Sequence, residues 1–129
     1  MRLLLDTHIF LWTMTRDRRL SPSARSMIAD GEIYVSVISL WEIAIKYARR
    51  SGKPHDMPIS AAEATRRLKG TDASILAVLP AHALMLESLP LLHRDPFDRM
   101  LVAQARSEPL RLLTSDKTVA AYGDGVELV

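Results

Sequence analysis

Arg2-Leu3-Leu4-Leu5-Asp6 is the stretch on which the fold turns. The run from Arg2 to Leu5 is apolar without alternation, as strands covered on both faces are, and it stops at an acid. Ile33 to Ile38 repeats the pattern with β-branched residues, and Ser39 and Glu42 follow it. Leu110 to Leu113 is a third such run, followed by Thr114-Ser115-Asp116. Val126 to Val129 reads as a last, edge strand, and Ala77 to Leu79 as a weaker one stopped by Pro80.

Helices fall between these runs. Ser21-Pro22 supplies an N-cap and a proline at the first helical position, opening a helix to about Ala29. Ser39 to Arg50 carries Leu40, Ile43, Ala44, Tyr47 and Ala48 at helical spacing. Ser60 to Gly70 starts on a capping-box pair, Ser60 and Glu63, and stops at glycine. Asp95-Pro96 opens a helix through about Ser107, and Ser51 to Pro58 reads as a loop. Strands alternating with helices predict an α/β fold with a parallel sheet.

The 129 residues suit one domain, and no repeat or boundary divides them. The absence of cysteine excludes a disulfide framework, a thiolate zinc site and a cysteine nucleophile. The longest apolar stretch, Ile75 to Leu86, holds Pro80 and His82 and falls short of the roughly 20 residues a membrane span needs. Asp6 interrupts the apolar opening before a signal-peptide core could form. A net charge of +2 does not announce a nucleic-acid binder.

In an open parallel sheet, ligands sit outside the carboxyl ends of the strands. Asp6, Glu42 and Asp116 follow the three strong strands, and Asp98 lies in the first turn of the helix opened by Asp95-Pro96. Converging carboxylates repel one another, and hard divalent cations relieve the repulsion. Oxygen ligands without cysteine or a histidine pair favour Mg²⁺ or Mn²⁺ over zinc. Such ions serve phosphoryl chemistry by acidifying water and stabilising the attacking and leaving oxygens. Capping is the competing explanation for each acid taken singly. Asp6 and Asp116 could be N-caps, Ser39 and Glu42 form a capping-box pair, and Asp95 with Asp98 resembles one. Acids at these places also suit the helix dipole, each by about 0.3–1 kcal/mol. Glu42 could instead pair with Lys46 at i, i+4. Capping does not account for an acid after every strong strand.

Four stretches together resemble a PIN-domain ribonuclease of the VapC toxin type. They are Leu3-Leu4-Leu5-Asp6-Thr7-His8, Val37-Ile38-Ser39-Leu40-Trp41-Glu42-Ile43, His93 to Ala105 around Asp98, and Leu113-Thr114-Ser115-Asp116. The resemblance implies a PIN-like three-layer α/β/α domain over residues 1–129, with a mainly parallel sheet of four to five strands. It implies that Asp6, Glu42, Asp98 and Asp116 meet and hold one or two Mg²⁺ or Mn²⁺ ions. It further implies a cytoplasmic endoribonuclease that cuts RNA of the translation machinery, is blocked by a VapB-type antitoxin, and forms a homodimer. Thr7, Thr114 and Ser115 become candidates for positioning a ligand or water. Asp95 is read as a helix cap, and Arg99 as either a phosphate contact or the partner of a neighbouring acid in a structural role. His82 is read as structural, and His93, which could approach the site, as a satisfied polar contact in preference. Two rival functions remain: a catalytically silent binding module with this fold, and a phosphatase-like metal-dependent phosphohydrolase. The latter lacks the second acid of an Asp-x-Asp pair at Asp6-Thr7-His8.

Overall fold

The computed structural model describes residues 1–129 as five strands and seven helices. In chain order these are β1 (Arg2–Leu5), α1 (Thr7–Thr15), α2 (Pro22–Asp30), β2 (Glu32–Ser36), α3 (Val37–Ala48) and α4 (Ala61–Lys69). Then follow β3 (Ser74–Leu76), α5 (Pro80–Ser88), α6 (Pro96–Ser107), β4 (Arg111–Thr114), α7 (Lys117–Ala120) and β5 (Val126–Leu128). The strands form one sheet in the order β3-β2-β1-β4-β5. Every neighbouring pair is parallel, so all carboxyl ends share one edge.

Alternate side chains of the strands feed two cores, as a sheet covered on both faces requires. Leu3, Leu5, Val35 and Leu113 pack on one face with Ile9 and Phe10 of α1, Ala24 of α2, and Ala64 and Leu68 of α4. Leu4 and Leu112 pack on the other with Leu101, Val102 and Ala105 of α6, Val119 of α7 and Tyr122. Helix α3 serves both, giving Ile43 to the first core and Ile38 to the second. No helix is long and apolar enough to cross a membrane.

Several boundaries differ from the sequence reading. The second strand ends at Ser36, and α3 begins at Val37. The Ser36 hydroxyl accepts from the Ile38 N–H and also donates to Gln104 Oε1 at 2.5 Å. Ser36 is therefore the cap. Ser39 lies within α3, buried against the Thr7 hydroxyl, so the capping box read at Ser39 and Glu42 does not form. The strand read at Ala77 to Leu79 lies instead at Ser74–Leu76, and Pro80 opens α5 rather than merely ending a strand. Helix α5 was not anticipated, and α1 and α7 only as helices that Asp6 and Asp116 could cap, which they do. Ile9, Phe10 and Leu11 of α1 are successive and all buried, so no apolar stripe marks it as a surface helix.

Candidate metal centre

The sheet order reverses between β1 and β4, so the chain's topological switch point lies there. This is where open α/β sheets bind ligands. Leu5 pairs with Val35 on one side and Leu113 on the other. The residues that follow, Asp6, Ser36 and Thr114, therefore emerge level at the carboxyl edge.

Asp6 is both a cap and a site residue. Its Oδ1 accepts the Ile9 N–H at 2.9 Å, capping α1, while its Oδ2 accepts from the Thr114 hydroxyl. Thr114 Oγ1 in turn accepts the Asp116 N–H at 3.0 Å. A single threonine at the end of β4 thus ties the first acid to the last. Asp116 caps α7 through the Thr118 N–H, and its side chain stays 45% exposed.

Glu42 sits on the second turn of α3, 3% exposed. Lys46 one turn on reaches its Oε2 at 2.7 Å, the i, i+4 pair the spacing allows. Its other oxygen, Oε1, is buried and has no hydrogen-bond partner. Such an orphaned acceptor costs about 1–3 kcal/mol, and more when charged.

Asp98 lies in the first turn of α6, whose start is fixed by Pro96 and capped by Asp95. The Asp95 carboxylate accepts from the N–H groups of Phe97 and Asp98. Burial, then the charge of Asp95, pushes the Asp98 carboxyl up to about 6; the charges of Asp6 and Glu42 push the same way, against a hydrogen bond from His93. Burial likewise raises Asp6, and Glu42 adds to the rise. The charge of Glu42 therefore bears on both Asp6 and Asp98, and that of Asp6 on Asp98, at the edge of the sheet.

His93 was expected to make a satisfied polar contact, and it does, but within the site itself. Its Nε2 lies 2.8 Å from Asp98 Oδ2 and 3.9 Å from Asp116 Oδ2. The ligand atoms of His93, Asp98 and Asp116 all fall within 4.8 Å of one another. Nδ1 accepts the Arg94 N–H, so the neutral ring carries its proton on Nε2 and presents a donor to the acids rather than a lone pair. The only sequence signal for this was its place five residues before Asp98, in the turn leading into α6.

The remaining candidates divide. The Thr7 hydroxyl docks the start of α1 onto Ser39 of α3 at 2.9 Å, which sets Asp6 and Glu42 relative to each other without touching either. Ser115 is exposed and points to no acid through a hydrogen bond. Arg99 donates to Leu89 O and Tyr122 Oη, so its contacts are structural, but they are a carbonyl and a hydroxyl rather than the neighbouring acid expected. His82 is fully buried and held by Glu108, Gln104 and the Leu79 N–H.

A hard divalent cation fits this set. Carboxylates dominate the donors, one buried carboxylate oxygen lacks a partner, and two acids are held up by burial and mutual charge. The site also has depth, since Asp6 and Glu42 are almost wholly buried while Asp98 and Asp116 open to solvent.

A family model described as PIN domain matches residues 3–125. No curated protein matches the chain. Among solved structures, VapBC2 from Rickettsia felis, bound to a promoter DNA fragment, is similar at a TM-score of 0.69 and 14% identity. That likeness covers 100% of this chain and 98% of that one. A toxin-antitoxin complex from Klebsiella pneumoniae is similar at a TM-score of 0.66 and 19% identity, covering 97% and 95% of the two chains. VapC20 from Mycobacterium tuberculosis, described as a toxin cleaving the sarcin-ricin loop, is similar at a TM-score of 0.65 and 18% identity, covering 94% and 95%.

Proposed function

Because this chain belongs to the PIN domain family, we propose that it is a metal-dependent endoribonuclease, a toxin acting on RNA of the translation machinery and held in check by a VapB-type antitoxin. The observation that carries this reading is the buried, unpartnered Oε1 of Glu42 beside Asp6 and Asp98, whose carboxyls burial and neighbouring acids hold up. A protein keeps such crowded acids at a cost, and a cation repays it.

In this reading Asp6, Glu42, Asp98 and Asp116 hold Mg²⁺ or Mn²⁺. The ion, when bound, activates water and stabilises the charge that develops on the phosphodiester. Thr114 fixes Asp6 and the Asp116 backbone as one unit, and the His93 N–H steadies Asp98. Asp95 shapes the first turn of α6. The exposed side of Asp98 and Asp116 is the face from which a phosphodiester approaches.

The partner assignment draws on relatives that are themselves toxin-antitoxin complexes. A homodimer is supported by apolar surface on α3, where Val37 and Trp41 are 40% and 56% exposed and Trp41 packs edge-on against Phe97. The place of action is the cytoplasm, where the substrate is.

The test is incubation of the purified, antitoxin-free protein with total RNA, with Mg²⁺, with Mn²⁺ and with chelator. Discrete products bearing 5′-phosphates, formed only with metal, support the reading. Intact RNA under both metals favours a catalytically silent module.

A further inference from the structure

Each acid of the site turns one oxygen to a donor of the protein. Asp6 Oδ1 accepts the Ile9 N–H at 2.9 Å, and Asp116 Oδ1 accepts the Thr118 N–H at 2.8 Å. Asp98 Oδ2 faces His93 Nε2 at 2.8 Å. Glu42 Oε2 accepts from the Lys46 ammonium at 2.7 Å. The oxygens that remain are Glu42 Oε1, Asp98 Oδ1, Asp116 Oδ2 and Asp6 Oδ2, the last shared with the Thr114 hydroxyl.

Lys46 differs from the other three donors. Two of those are backbone amides and one is an imidazole, whereas Lys46 brings a lysine ammonium. No other lysine or arginine pairs with any of the four acids. The pair is also lopsided, with the Glu42 side chain 4% exposed and that of Lys46 46%. An ordinary i, i+4 pair on a helix surface leaves both partners in water. Here the ammonium reaches in from solvent to one oxygen of a buried acid, and the other oxygen has no partner. A contact serving stability alone gains nothing from a stranded carboxylate oxygen.

Paired metal ions, about 3.5–4 Å apart, clamp the attacking and leaving oxygens in many phosphoryl-transfer sites. A carboxylate that serves both ions gives one oxygen to each. On Glu42 the second oxygen already faces an ammonium, and a second divalent cation there would meet a like charge. We infer, resting on the metal-site reading above, that Lys46 takes the place of a second ion: it holds Glu42 Oε2, leaves Oε1 for the metal, and limits the centre to one Mg²⁺ or Mn²⁺. Lysine suits this place, as a compact point charge on a flexible stem. Lys46 is thus a positioning residue that acts through Glu42, and the charge it supplies does not depend on the metal concentration.

The experiment counts Mn²⁺ bound per chain from the loss of the free-ion electron paramagnetic resonance signal. The parent should bind one ion and Lys46→Met two. Lys46→Ala, a good helix former at a half-exposed position, should also bind two. Arg49→Met removes a cation from the end of the same helix that enters no ion pair, and should bind one. Thermal unfolding in chelator identifies the folded variants, and a merely structural Lys46 would lower Tm while the count stayed at one. Two ions on the parent, or one on the folded Lys46 variants, overturns the inference and leaves the nuclease reading standing. No ion on the parent removes both.

Discussion

Asp98→Asn separates a metal site from a set of independent helix caps. Asparagine keeps the shape and can still accept from His93, but it carries no charge. In the parent, burial first, then Asp95, Asp6 and Glu42, hold the Asp98 carboxyl up to about 6 against an ordinary 3.8. At about 1.4 kcal/mol per unit, ionising Asp98 in the metal-free fold costs up to about 3 kcal/mol. The sign follows from linkage: a carboxyl raised by folding leaves stability intact below about pH 4 and withdraws it as pH climbs through 6. In chelator, parent and variant should therefore unfold alike near pH 4. Near pH 7.5 the variant should be more stable by about 2–3 kcal/mol, or about 6–12 °C in Tm. Mg²⁺ stabilises only the form that binds it, so it should cancel the variant's lead at about a hundred times Kd, where binding adds about 2.7 kcal/mol, and reverse the order at about a thousand times Kd, where it adds about 4.1 kcal/mol. RNA cleavage should fall by more than the roughly 10–100-fold that loss of an outer partner costs. The assay is thermal unfolding across pH, with and without metal, beside a cleavage time course. A stability difference that ignores pH, or undiminished cleavage by the variant, refutes the reasoning.

Other perturbations test the supporting contacts. Thr114→Val strips a hydrogen bond from Asp6 and the acceptor from the Asp116 N–H; unfolding in urea should show a loss of about 1–3 kcal/mol, and Mg²⁺ titration a weaker Kd. Gln104→Leu breaks the buried bonds to Ser36 and His82 that tie α6 to the start of α3 and to α5; a fall of about 2–4 kcal/mol in unfolding free energy is expected, and none would mean the network is idle. Leu4→Ala, at a fully buried position of β1, should cost about 2–5 kcal/mol by the same measurement. Trp41→Glu places a charge on the exposed apolar face of α3; sedimentation should report a dimer for the parent and a monomer for the variant, and equal dimer masses would assign the interface to another face.

Much of this was legible because it was local. Asp95-Pro96 fixed the start of α6 through a cap and a locked φ. Leu3 to Leu5 showed burial on both faces, and the sheet indeed gives Leu4 to one core and its neighbours to the other. The start of α3 was misread because Val37 and Ile38 continue the β-branched run, while the Ser36 hydroxyl turns the chain earlier. The third strand was displaced because Ser74–Leu76 is short and lies at the sheet edge with little burial to mark it. His93 was underestimated for a different reason: a loop side chain has no periodicity, so its direction depends on tertiary contacts such as its N–H to Tyr122 Oη. Asp6, Glu42 and Asp116 were read from their place after strands and Asp98 from its place in the first turn of a helix, but only the structure reveals that Glu42 carries an unpartnered oxygen. Setting those acids aside also leaves a markedly basic remainder, which the mild net charge of +2 conceals.

The central claim is that Asp6, Glu42, Asp98 and Asp116 form one cation site. Mn²⁺ binding followed by electron paramagnetic resonance tests it most directly, on the parent and on Glu42→Gln. Saturable loss of the free-ion signal is expected with the parent, reversed by excess Mg²⁺, with a clear weakening in the variant. Equal binding by both proteins, or none by the parent, would contradict it.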